Sequence, residues 1–434
     1  MRLYSTKNKT QFTTLKEAVL KGLPDDNGLF MPEKIPTLSP EFIKNLKQHS
    51  FQSIAFEVAK TLLQGALPEN DLKKIVEHAV SFPAPLVSID DDAHFLELFH
   101  GPSLAFKDFG ARFMAQLMGY FNREEKKELV ILVATSGDTG GAVAAGFYKT
   151  PGIKIVILYP SGKVSMLQEK QLTTLGENVT AIEINGTFDD CQTLVKQAFL
   201  DKQLNAQVRL SSANSINIAR LIPQSFYYYE AYKQLKDTSK PTVFSIPSGN
   251  FGNLTAGLLA KRMGLPIHKF IAATNINDIV PHYLHTGDYK TKSSVRTLSN
   301  AMDVGNPSNF ARMNELYSGS WNKMKRDILG YAFDDAATQR AMIDVYEKHN
   351  YIMDPHGAVG YLALKHYRNH KNANGIILET AHPAKFLNDV ETILNRKIEI
   401  PEKLAVLADK KKVATEMNPD FEMFKAWVIK GYGI

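Results

Sequence analysis

Apolar runs of strand length alternate with helical patterns from about residue 129 onward. The runs at 129–134, 153–159 and 179–184 are each followed by a polar turn and then by a helical stretch. The same alternation resumes with the runs at 242–246 and 269–274. Continuously apolar strands are typical of sheets buried on both faces, and strand–helix alternation favours parallel pairing. We therefore predict an α/β protein with two open, mainly parallel sheets covered by helices.

Composition places the chain among ordinary globular proteins. Its 434 residues are 44% hydrophobic and 22% charged, which is enough apolar material for a large core and more than one domain. The net charge of +6 is small beside 51 basic and 45 acidic residues, and basic runs such as 410–412 are short. We therefore expect no nucleic-acid partner.

Cysteine content and hydropathy argue against a disulfide-bonded, zinc-binding, secreted or membrane protein. Cys191 is the one cysteine, so no intrachain disulfide can form, and no CxxC or His/Cys cluster suggests a zinc site. The opening MRLYSTKNKT lacks the apolar core of a signal peptide, and no apolar stretch approaches the roughly 18 residues of a membrane span. We expect a cytoplasmic protein with no metal ion and no membrane segment.

Polar turns follow several of the predicted strands. In open α/β sheets, ligands bind beyond the carboxyl ends of the strands, so these turns are expected to meet in one cleft. The turns are TSGDTGG after 129–134, ANS after 208–210, PSGNFGN after 242–246 and ETAHPAKF after 375–378.

Lys107 and the turn PSGNFGN together indicate pyridoxal phosphate. Lys107 lies between Phe106 and Phe109 in HGPSLAFKDFG, where partial desolvation favours the neutral amine that forms a Schiff base with an aldehyde. The glycine-rich turn joins a strand to a helix, an arrangement that binds phosphate. Each feature alone has a simpler explanation: a lysine along an apolar surface, or a tight turn without a ligand. Their combination favours the cofactor.

Six motifs occur in a specific order, and they carry a resemblance. They are HGPSLAFKDFG, ATSGDTGGAVA, SANSINIAR, IPSGNFGNLTAGLLAKRMGLP, LSNAMDVGNPSN and TAHPAKF. Together with NGLFMPEKIP near the start, they resemble threonine synthases of the shorter microbial type over nearly the whole chain. That family belongs to the fold type II pyridoxal-phosphate enzymes, the tryptophan synthase β-subunit fold group.

The resemblance implies a function and a set of cofactor contacts. A family member is a pyridoxal-phosphate-dependent lyase that converts O-phospho-L-homoserine and water to L-threonine and phosphate. Lys107 matches the lysine that binds the cofactor aldehyde and acts as the catalytic base. Asp138 matches a position that often carries asparagine facing the cofactor 3-hydroxyl, and Thr380 matches the partner of the pyridine nitrogen. The cofactor phosphate loop matches Gly249, Asn250, Phe251, Gly252 and Asn253.

The resemblance also implies a substrate pocket. Thr135, Ser136 and Thr139 match the turn that holds the substrate carboxylate. A second group matches the pocket for the substrate phosphate, where a planar guanidinium suits the anion: Asn214, Ser215 and Arg220.

Other polar residues near these turns are less specific. Lys163 and Lys385 are further candidates for holding an anion, and we assign no catalytic role to His100, His356 or His382, because a lone histidine is more often structural.

The resemblance and the strand pattern together suggest a division into parts. We expect a mainly helical N-terminal region at 1–85, a large cofactor-binding α/β domain at 86–110 and 221–400, a small α/β domain at 111–220, and a C-terminal helical extension at 401–434.

Two alternatives to this function remain open. One is a sibling reaction on the same scaffold, such as hydroxyamino-acid deamination or β-replacement, which the phosphate pocket in SANSINIAR disfavours. The other is a nucleotide-binding or regulatory module, which the absence of GxxxxGK[ST] and of GxGxxG spacing in TSGDTGG disfavours. The expected partner is a small-molecule substrate, and we expect a monomer, with a dimer as the alternative.

Overall fold

The N-terminal region combines helices with a small sheet. A computed structural model describes residues 1–135, 137–368 and 372–433. A capping box between Thr14 and Glu17 fixes the start of the first helix. The elements are β1 Arg2–Ser5, β2 Asn8–Thr14, α1 Leu15–Lys21, β3 Phe30–Pro32, α2 Pro40–Lys44, a 3₁₀ turn Leu46–Gln48, α3 Phe51–Leu63 and α4 Glu69–Ala79.

Strands and helices alternate through the middle of the chain, as the hydrophobic pattern predicts. The elements are β4 Leu86–Asp90, β5 Ala93–Glu97, α5 Lys107–Asn122, β6 Leu129–Ala134, α6 Asp138–Phe147, β7 Ile153–Pro160, α7 Met166–Thr173, β8 Val179–Ile184, α8 Phe188–Leu200, α9 Lys202–Gln207, β9 Arg209–Ser212, α10 Ile218–Leu221, a 3₁₀ turn Ile222–Ser225 and α11 Phe226–Gln234.

The alternation continues through the last part of the chain. The elements are β10 Thr242–Pro247, α12 Gly252–Arg262, β11 Lys269–Thr274, α13 Ile279–Thr286, a 3₁₀ turn Asn300–Met302, α14 Phe310–Leu316, α15 Trp321–Asp327, β12 Ile328–Ala332, α16 Asp335–His349, α17 Pro355–Arg368, β13 Asn374–Glu379, a 3₁₀ turn Pro383–Phe386, α18 Leu387–Leu394, α19 Glu402–Ala408, β14 Thr415–Met417 and α20 Phe421–Tyr432.

Two open sheets dominate the architecture, and the fold-class prediction is confirmed. The larger sheet has the order β12-β11-β10-β13-β5-β4 and is parallel except for the antiparallel pair β4 and β5. The smaller sheet has the order β14-β8-β7-β6-β9, and all its pairs are parallel. Every residue of β6, β10 and β13 is buried, which explains their continuous apolar sequences.

Two features near the chain ends differ from the expected helical character. β1 pairs with β2 and β3 in an antiparallel sheet, and β14 adds a parallel strand to the edge of the smaller sheet. Both are short strands without a long apolar run, which is why the pattern alone does not show them. The division into four parts stays a prediction.

The aromatic helix α11 packs inside the protein and supports the loop at 249–253. Tyr227, Tyr228 and Tyr229 are fully buried. The hydroxyl of Tyr228 donates to the carbonyl of Asn253 at 2.7 Å, and a Cβ on Gly257 would lie 2.7 Å from the Tyr228 ring. The cluster is therefore helix packing, and it fixes the first turn of α12. No helix among the described residues is long and apolar enough to cross a membrane.

Candidate active site

Lys107 opens helix α5 at the junction of the two sheets. The amide of Phe106 donates to the carbonyl of Thr380 at 2.9 Å, and Ala105 forms an isolated bridge with Ala381. The Lys107 side chain is 17% exposed, so its amine lies within the fold but can be reached. These contacts join the segments HGPSLAFKDFG and TAHPAKF directly beside the lysine.

Asp138 lies next to Lys107 and is buried. Its Oδ2 is 3.9 Å from Lys107 Nζ, and its Oδ1 is 3.0 Å from Lys385 Nζ. Burial alone raises the pKa of the Asp138 carboxyl, but Lys385 and then Lys107 overcome that effect and hold the pKa well below its ordinary value. Asp138 is therefore an ionised carboxylate inside the site.

The amine of Lys107 has the electrostatic surroundings of a nucleophile. Burial lowers its pKa below the ordinary value; Asp138 opposes this effect, while Arg220 and Lys385 add to it. A lowered pKa increases the neutral fraction that attacks aldehydes or accepts a proton. The structure therefore supports the electrostatic argument made for Lys107 from its sequence neighbours.

The turn TSGDTGG starts helix α6 earlier than its sequence suggests. The small-residue pattern predicts a helix over 142–148, whereas α6 begins at Asp138. Gly137 precedes it with a φ of 135°, and a Cβ there would lie 2.7 Å from the Gln168 side chain, so only glycine fits. The early start places Asp138 and Thr139 in the first turn of the helix.

Thr135 and Thr139 occupy different positions around that turn. Thr135 is buried, and its hydroxyl oxygen accepts hydrogen bonds from the amides of Gly137 at 2.9 Å and Gly140 at 2.8 Å. Thr139 is half-buried, and its hydroxyl has no hydrogen-bond partner within the described chain. Thr135 thus shapes the turn, while Thr139 offers a hydroxyl to a ligand. Ser136 lies outside the described residues.

The loop at 249–253 presents free amides at the start of α12. No hydrogen bond from the amides of Asn250, Phe251 or Gly252 is found within residues 1–135, 137–368 and 372–433. Phe251 adopts a left-handed conformation with a φ of 59°, which turns the chain into the helix. Free amides at a helix N-terminus attract anions.

The asparagine side-chain oxygens of this loop are already engaged. Asn253 accepts from the Ser248 hydroxyl and donates to the Pro247 carbonyl at 2.9 Å, so it closes the loop on itself. The side-chain oxygen of Asn250 accepts from the amide of Ser308 at 3.2 Å. No hydrogen bond from Asn250 Nδ2 is found among the described residues, so an anion at this loop could contact both the backbone amides and this Nδ2.

Thr380 directly follows β13 and lies next to a buried acidic pair, Glu379 and Asp354. Its hydroxyl has no hydrogen-bond partner in the described part of the chain. The preceding residue, Glu379, is fully buried and accepts from the amide of Asp354 at 2.7 Å. Burial, and next the charge of Asp354, raise the pKa of Glu379 well above its ordinary value. The carboxyl of Glu379 therefore favours its protonated form. No local sequence pattern indicates this pair.

Arg220 is a further cation close enough to act on the charge of Lys107. Arg220 is 3% exposed, and burial lowers its pKa to about 10. Its Nη1 donates to the Ala213 carbonyl at 2.9 Å, but its Nε has no partner among the described residues. A Cβ on Gly110 would lie 2.9 Å from that Nε, so Gly110, one turn after Lys107, makes room for the guanidinium.

Asn214 and Ser215 form the turn before Arg220. The buried Oδ1 of Asn214 has no partner among the described residues, whereas the Ser215 hydroxyl accepts from Asn309 Nδ2 at 3.3 Å. A Cβ on Gly252 would lie 3.5 Å from the Ser215 Cβ, so this turn faces the loop at 249–253. The structure thus brings the predicted phosphate pocket and the predicted phosphate loop side by side.

Arg312 supports this turn and was missed by the sequence analysis. It is fully buried, and burial lowers its pKa to about 9. Its guanidinium donates to the carbonyls of Phe30 at 3.1 Å, Ser215 at 3.1 Å and Ile216 at 2.6 Å. It therefore pins the turn before Arg220 against β3. The nearby motif LSNAMDVGNPSN was the available signal.

The site has the chemistry that pyridoxal phosphate requires. Lys107 offers an amine of lowered pKa to the aldehyde, the amides of 250–252 offer donors to the phosphate, and Thr380 offers a free hydroxyl. A Cβ on Gly252 would meet nothing closer than 3.5 Å, so Asn309 and Ser215 do not crowd this position. Within the described residues, no cluster of three or more His, Cys, Asp or Glu could hold a metal ion. These features fit the cofactor.

Comparisons with known proteins agree with this assignment. A family model described as "Pyridoxal-phosphate dependent enzyme" matches residues 85–378, one described as "Threonine synthase N terminus" matches 2–80, and one described as "Threonine synthase, C-terminal" matches 357–428. Threonine synthase of Escherichia coli K12 is 46% identical over 423 residues, covering 97% of each chain.

Solved structures of threonine synthases show the same architecture. The Escherichia coli crystal structure matches with a TM-score of 0.92 and 44% identity, covering 99% of this chain and 100% of that one. The structure of PLP-bound threonine synthase from Brucella melitensis matches with a TM-score of 0.93 and 33% identity, covering 100% of this chain and 99% of that one.

The fold and the site define a pyridoxal-phosphate-dependent enzyme of fold type II. Its cofactor is pyridoxal phosphate, as the lysine and the glycine turn predict. The chain belongs to the threonine synthase family.

Proposed function

We propose that this chain is a lyase that converts O-phospho-L-homoserine and water to L-threonine and phosphate. The observation that carries the proposal is Arg220, a buried guanidinium with an unpartnered Nε beside Lys107 among the described residues. A second anion site at 250–252 lies across the turn at Asn214 and Ser215. An enzyme that binds a cofactor phosphate and a substrate phosphate would need two anion sites near the Lys107 amine, and Arg220 and the amides of 250–252 provide them.

Each side chain has a proposed role in binding. Lys107 would anchor the cofactor through its amine, and the amides of 249–253 would hold its phosphate, with Asp138 and Thr380 beside its ring. The substrate carboxylate would lie at the α6 N-terminus, on Thr135, Ser136 and Thr139. The substrate phosphate would lie on Asn214, Ser215 and Arg220.

Lys107 is proposed to act also as the base of the reaction. When bound, pyridoxal phosphate supplies an electron sink for negative charge at the substrate α-carbon. The neutral amine of Lys107 would remove the proton from that carbon. Arg220 would stabilise the phosphate as the γ-carbon to oxygen bond breaks, since charge grows on that oxygen. A proton lost from the β-carbon is balanced by one gained at the γ-carbon, and the oxygen of water then adds at the β-carbon. The Lys107 amine would finally return the proton that it took from the α-carbon. The departing phosphate, held near Arg220, is our candidate for the base that activates this water.

The proposal is tested by assaying threonine and phosphate release from phosphohomoserine. We expect equal amounts of the two products. Incubation with serine or threonine alone tests the sibling deamination reaction in the same preparation. Formation of a keto acid from those amino acids, without threonine from phosphohomoserine, would refute the proposal. Cytoplasmic location and the monomeric state stay predictions.

Gly252→Asp is expected to lose the cofactor on dialysis while keeping the fold. The nearest atoms to a new Cβ lie at 3.5 Å, an ordinary contact, so the backbone is not strained. A carboxylate about 5 Å from the phosphate would cost about 3 kcal/mol at an effective dielectric of about 20, or roughly a hundredfold in retention. The absorbance of bound cofactor before and after dialysis measures this loss.

Gly252→Ala is the matched control for that measurement. It adds the Cβ without the charge, so it should retain clearly more cofactor than Gly252→Asp. Circular dichroism melting of the cofactor-free proteins checks that both variants fold like the parent. A Gly252→Asp protein that stays fully yellow would show that the loop does not hold the phosphate.

A further inference from the structure

Lys385 is a second lysine buried in the active site. It lies in the 3₁₀ turn Pro383–Phe386 and is 1% exposed. Its Nζ contacts the Ser103 carbonyl at 2.7 Å, Gln171 Oε1 at 2.9 Å and Asp138 Oδ1 at 3.0 Å. An ammonium has three N–H donors, and here three acceptors meet them.

This geometry excludes two simple roles for Lys385. A lysine with all three N–H groups engaged has none left for a substrate anion, so the expectation that Lys385 holds one is not supported by its contacts. The same ammonium has no free lone pair, so it cannot act as a base. The remaining property of Lys385 is its fixed positive charge.

The positive charge of Lys385 is paired with the carboxylate of Asp138. Asp138 Oδ1 receives both Lys385 and the side-chain amide of Gln168, the latter at 2.9 Å. Asp138 Oδ2 lies 3.9 Å from Lys107 Nζ, which is beyond hydrogen-bond distance. The carboxylate is therefore bonded to Lys385 and only adjacent to Lys107.

We propose that Lys385 is a positioning residue, which takes up the charge of Asp138 and so keeps the amine of Lys107 neutral and nucleophilic. Without Lys385, the buried carboxylate would have Lys107 as its nearest cation and would retain it as an ammonium. The inference rests on the proposed role of Lys107 as the cofactor lysine, and it gives Lys385 a function other than holding an anion.

The surroundings of Lys385 prevent it from moving to another partner. The Ser103 carbonyl that it contacts also accepts from Gln171 Nε2 at 3.0 Å, and the Ser103 amide donates to Asp108 at 2.8 Å. The acceptors thus come from the loop before α5, from α6 and from α7. Such an arrangement holds the charge in one place before any ligand arrives.

The other charges around Lys107 act in the same direction or are farther from the pair. Arg220 on α10 lowers the pKa of Lys107, as Lys385 does, after the larger effect of burial. Asp138 on α6 is the carboxylate that opposes them. His356 on α17 acts on Asp138, and Asp108 on α5 carries a pKa raised by burial to about 6. Removing Lys385 therefore takes away one cation and frees one carboxylate, and both changes raise the pKa of Lys107.

The test is the titration of Lys107 in the full-length, cofactor-free protein. Formaldehyde with cyanoborohydride methylates neutral amines, and peptide mass spectrometry quantifies the modification of Lys107 across a pH series. In Lys385→Met the midpoint is expected to rise by about one pH unit, which makes methylation about tenfold slower at neutral pH. This readout needs neither substrate nor turnover, so it stands apart from the threonine assay.

Asp138→Asn and the double variant complete the test. Asp138→Asn should lower the midpoint, because the opposing carboxylate is gone, and Lys385→Met combined with Asp138→Asn should return it towards the parent value. Lys425→Met, which breaks the 2.8 Å ion pair with Asp201 outside the site, should leave it unchanged.

The order of midpoints decides the proposal. The proposal is supported if the Lys107 midpoint in Lys385→Met lies above that of the parent and falls back towards the parent value in the double variant. An unchanged or lower midpoint in Lys385→Met overturns the proposal. If Lys385→Met does not fold, Lys385→Gln, which keeps a polar end towards Ser103 and Gln171, takes its place. Its midpoint must then lie above that of the parent, and an unchanged or lower midpoint overturns the proposal. Failure of the parent protein to make threonine would refute the proposed function while leaving this comparison intact.

Discussion

Lys107→Ala is expected to lower the rate of threonine formation by about a thousandfold or more. The substitution removes both the amine that anchors the cofactor and the base proposed for the α-proton, and a positioned base alone contributes about a hundredfold to ten-thousandfold. The steady-state rate with phosphohomoserine, measured with added cofactor, gives the loss.

Borohydride reduction identifies the lysine directly. In the parent protein the pyridoxyl group should appear on the peptide that contains Lys107 after reduction and digestion. Lys385 is the most informative alternative, because it is also buried in the site and 3.0 Å from Asp138. A label on Lys385, or equal activity in Lys107→Ala, would contradict the assignment. Lys261→Ala breaks a 2.8 Å ion pair with Asp327 away from the site and serves as the control.

The sequence predicts the site where the chemistry is local to one segment. Lys107 is flanked by aromatic rings, and the turn at 247–253 is a glycine-rich strand-to-helix connection, so each carries its signal within a few residues. The rule that ligands bind beyond the carboxyl ends of parallel strands then brings these turns together. The strands at 129–134 and 269–274 have the bounds that their apolar runs predict.

The sequence does not predict contacts between distant segments of the site. Asp138 and Lys385 are separated by more than half of the chain, and their ion pair depends on how the two sheets face each other. The raised pKa of Glu379 depends on its burial and on the charge of Asp354, which no pattern around Glu379 indicates. Arg312 has the sequence context of a surface helix, yet it is completely buried. Such features follow from three-dimensional packing, because burial and charge pairing set the ionisation of each group.

The start of α6 shows how a backbone conformation can override a composition pattern. Small residues from 142 onward suggest a helix there, but Gly137 turns the chain so that the helix begins at Asp138. This difference matters for the site, because Asp138 and Thr139 lie in the first turn of a helix and not in the loop that the pattern predicts. A helix N-terminus also favours a carboxylate ligand.

Arg220→Lys is expected to lower the specificity constant for phosphohomoserine about thirtyfold while the cofactor content stays unchanged. Lysine keeps the positive charge that acts on Lys107, so the cofactor lysine should titrate as before. It loses the planar guanidinium whose Nε has no partner among the described residues, and with it a charge-assisted contact of about 2 kcal/mol. The loss should be larger if Arg220 also stabilises the departing phosphate.

A comparison of Arg220→Lys with a control variant at Arg209 shows whether Arg220 binds the substrate phosphate or the cofactor phosphate. Arg209 lies on β9 and donates to the Lys127 carbonyl at 2.7 Å, away from the site, so Arg209→Lys should leave the specificity constant unchanged. For each variant the specificity constant is measured beside the cofactor content of the same preparation. Arg220→Lys should remain yellow and bind simple amino acids at the cofactor as the parent does. If its specificity constant is unchanged, or if missing cofactor accounts for the whole loss, Arg220 does not bind the substrate phosphate. The unpartnered Nε beside Gly110 would then need another ligand, because a buried guanidinium N–H without an acceptor costs about 1–3 kcal/mol.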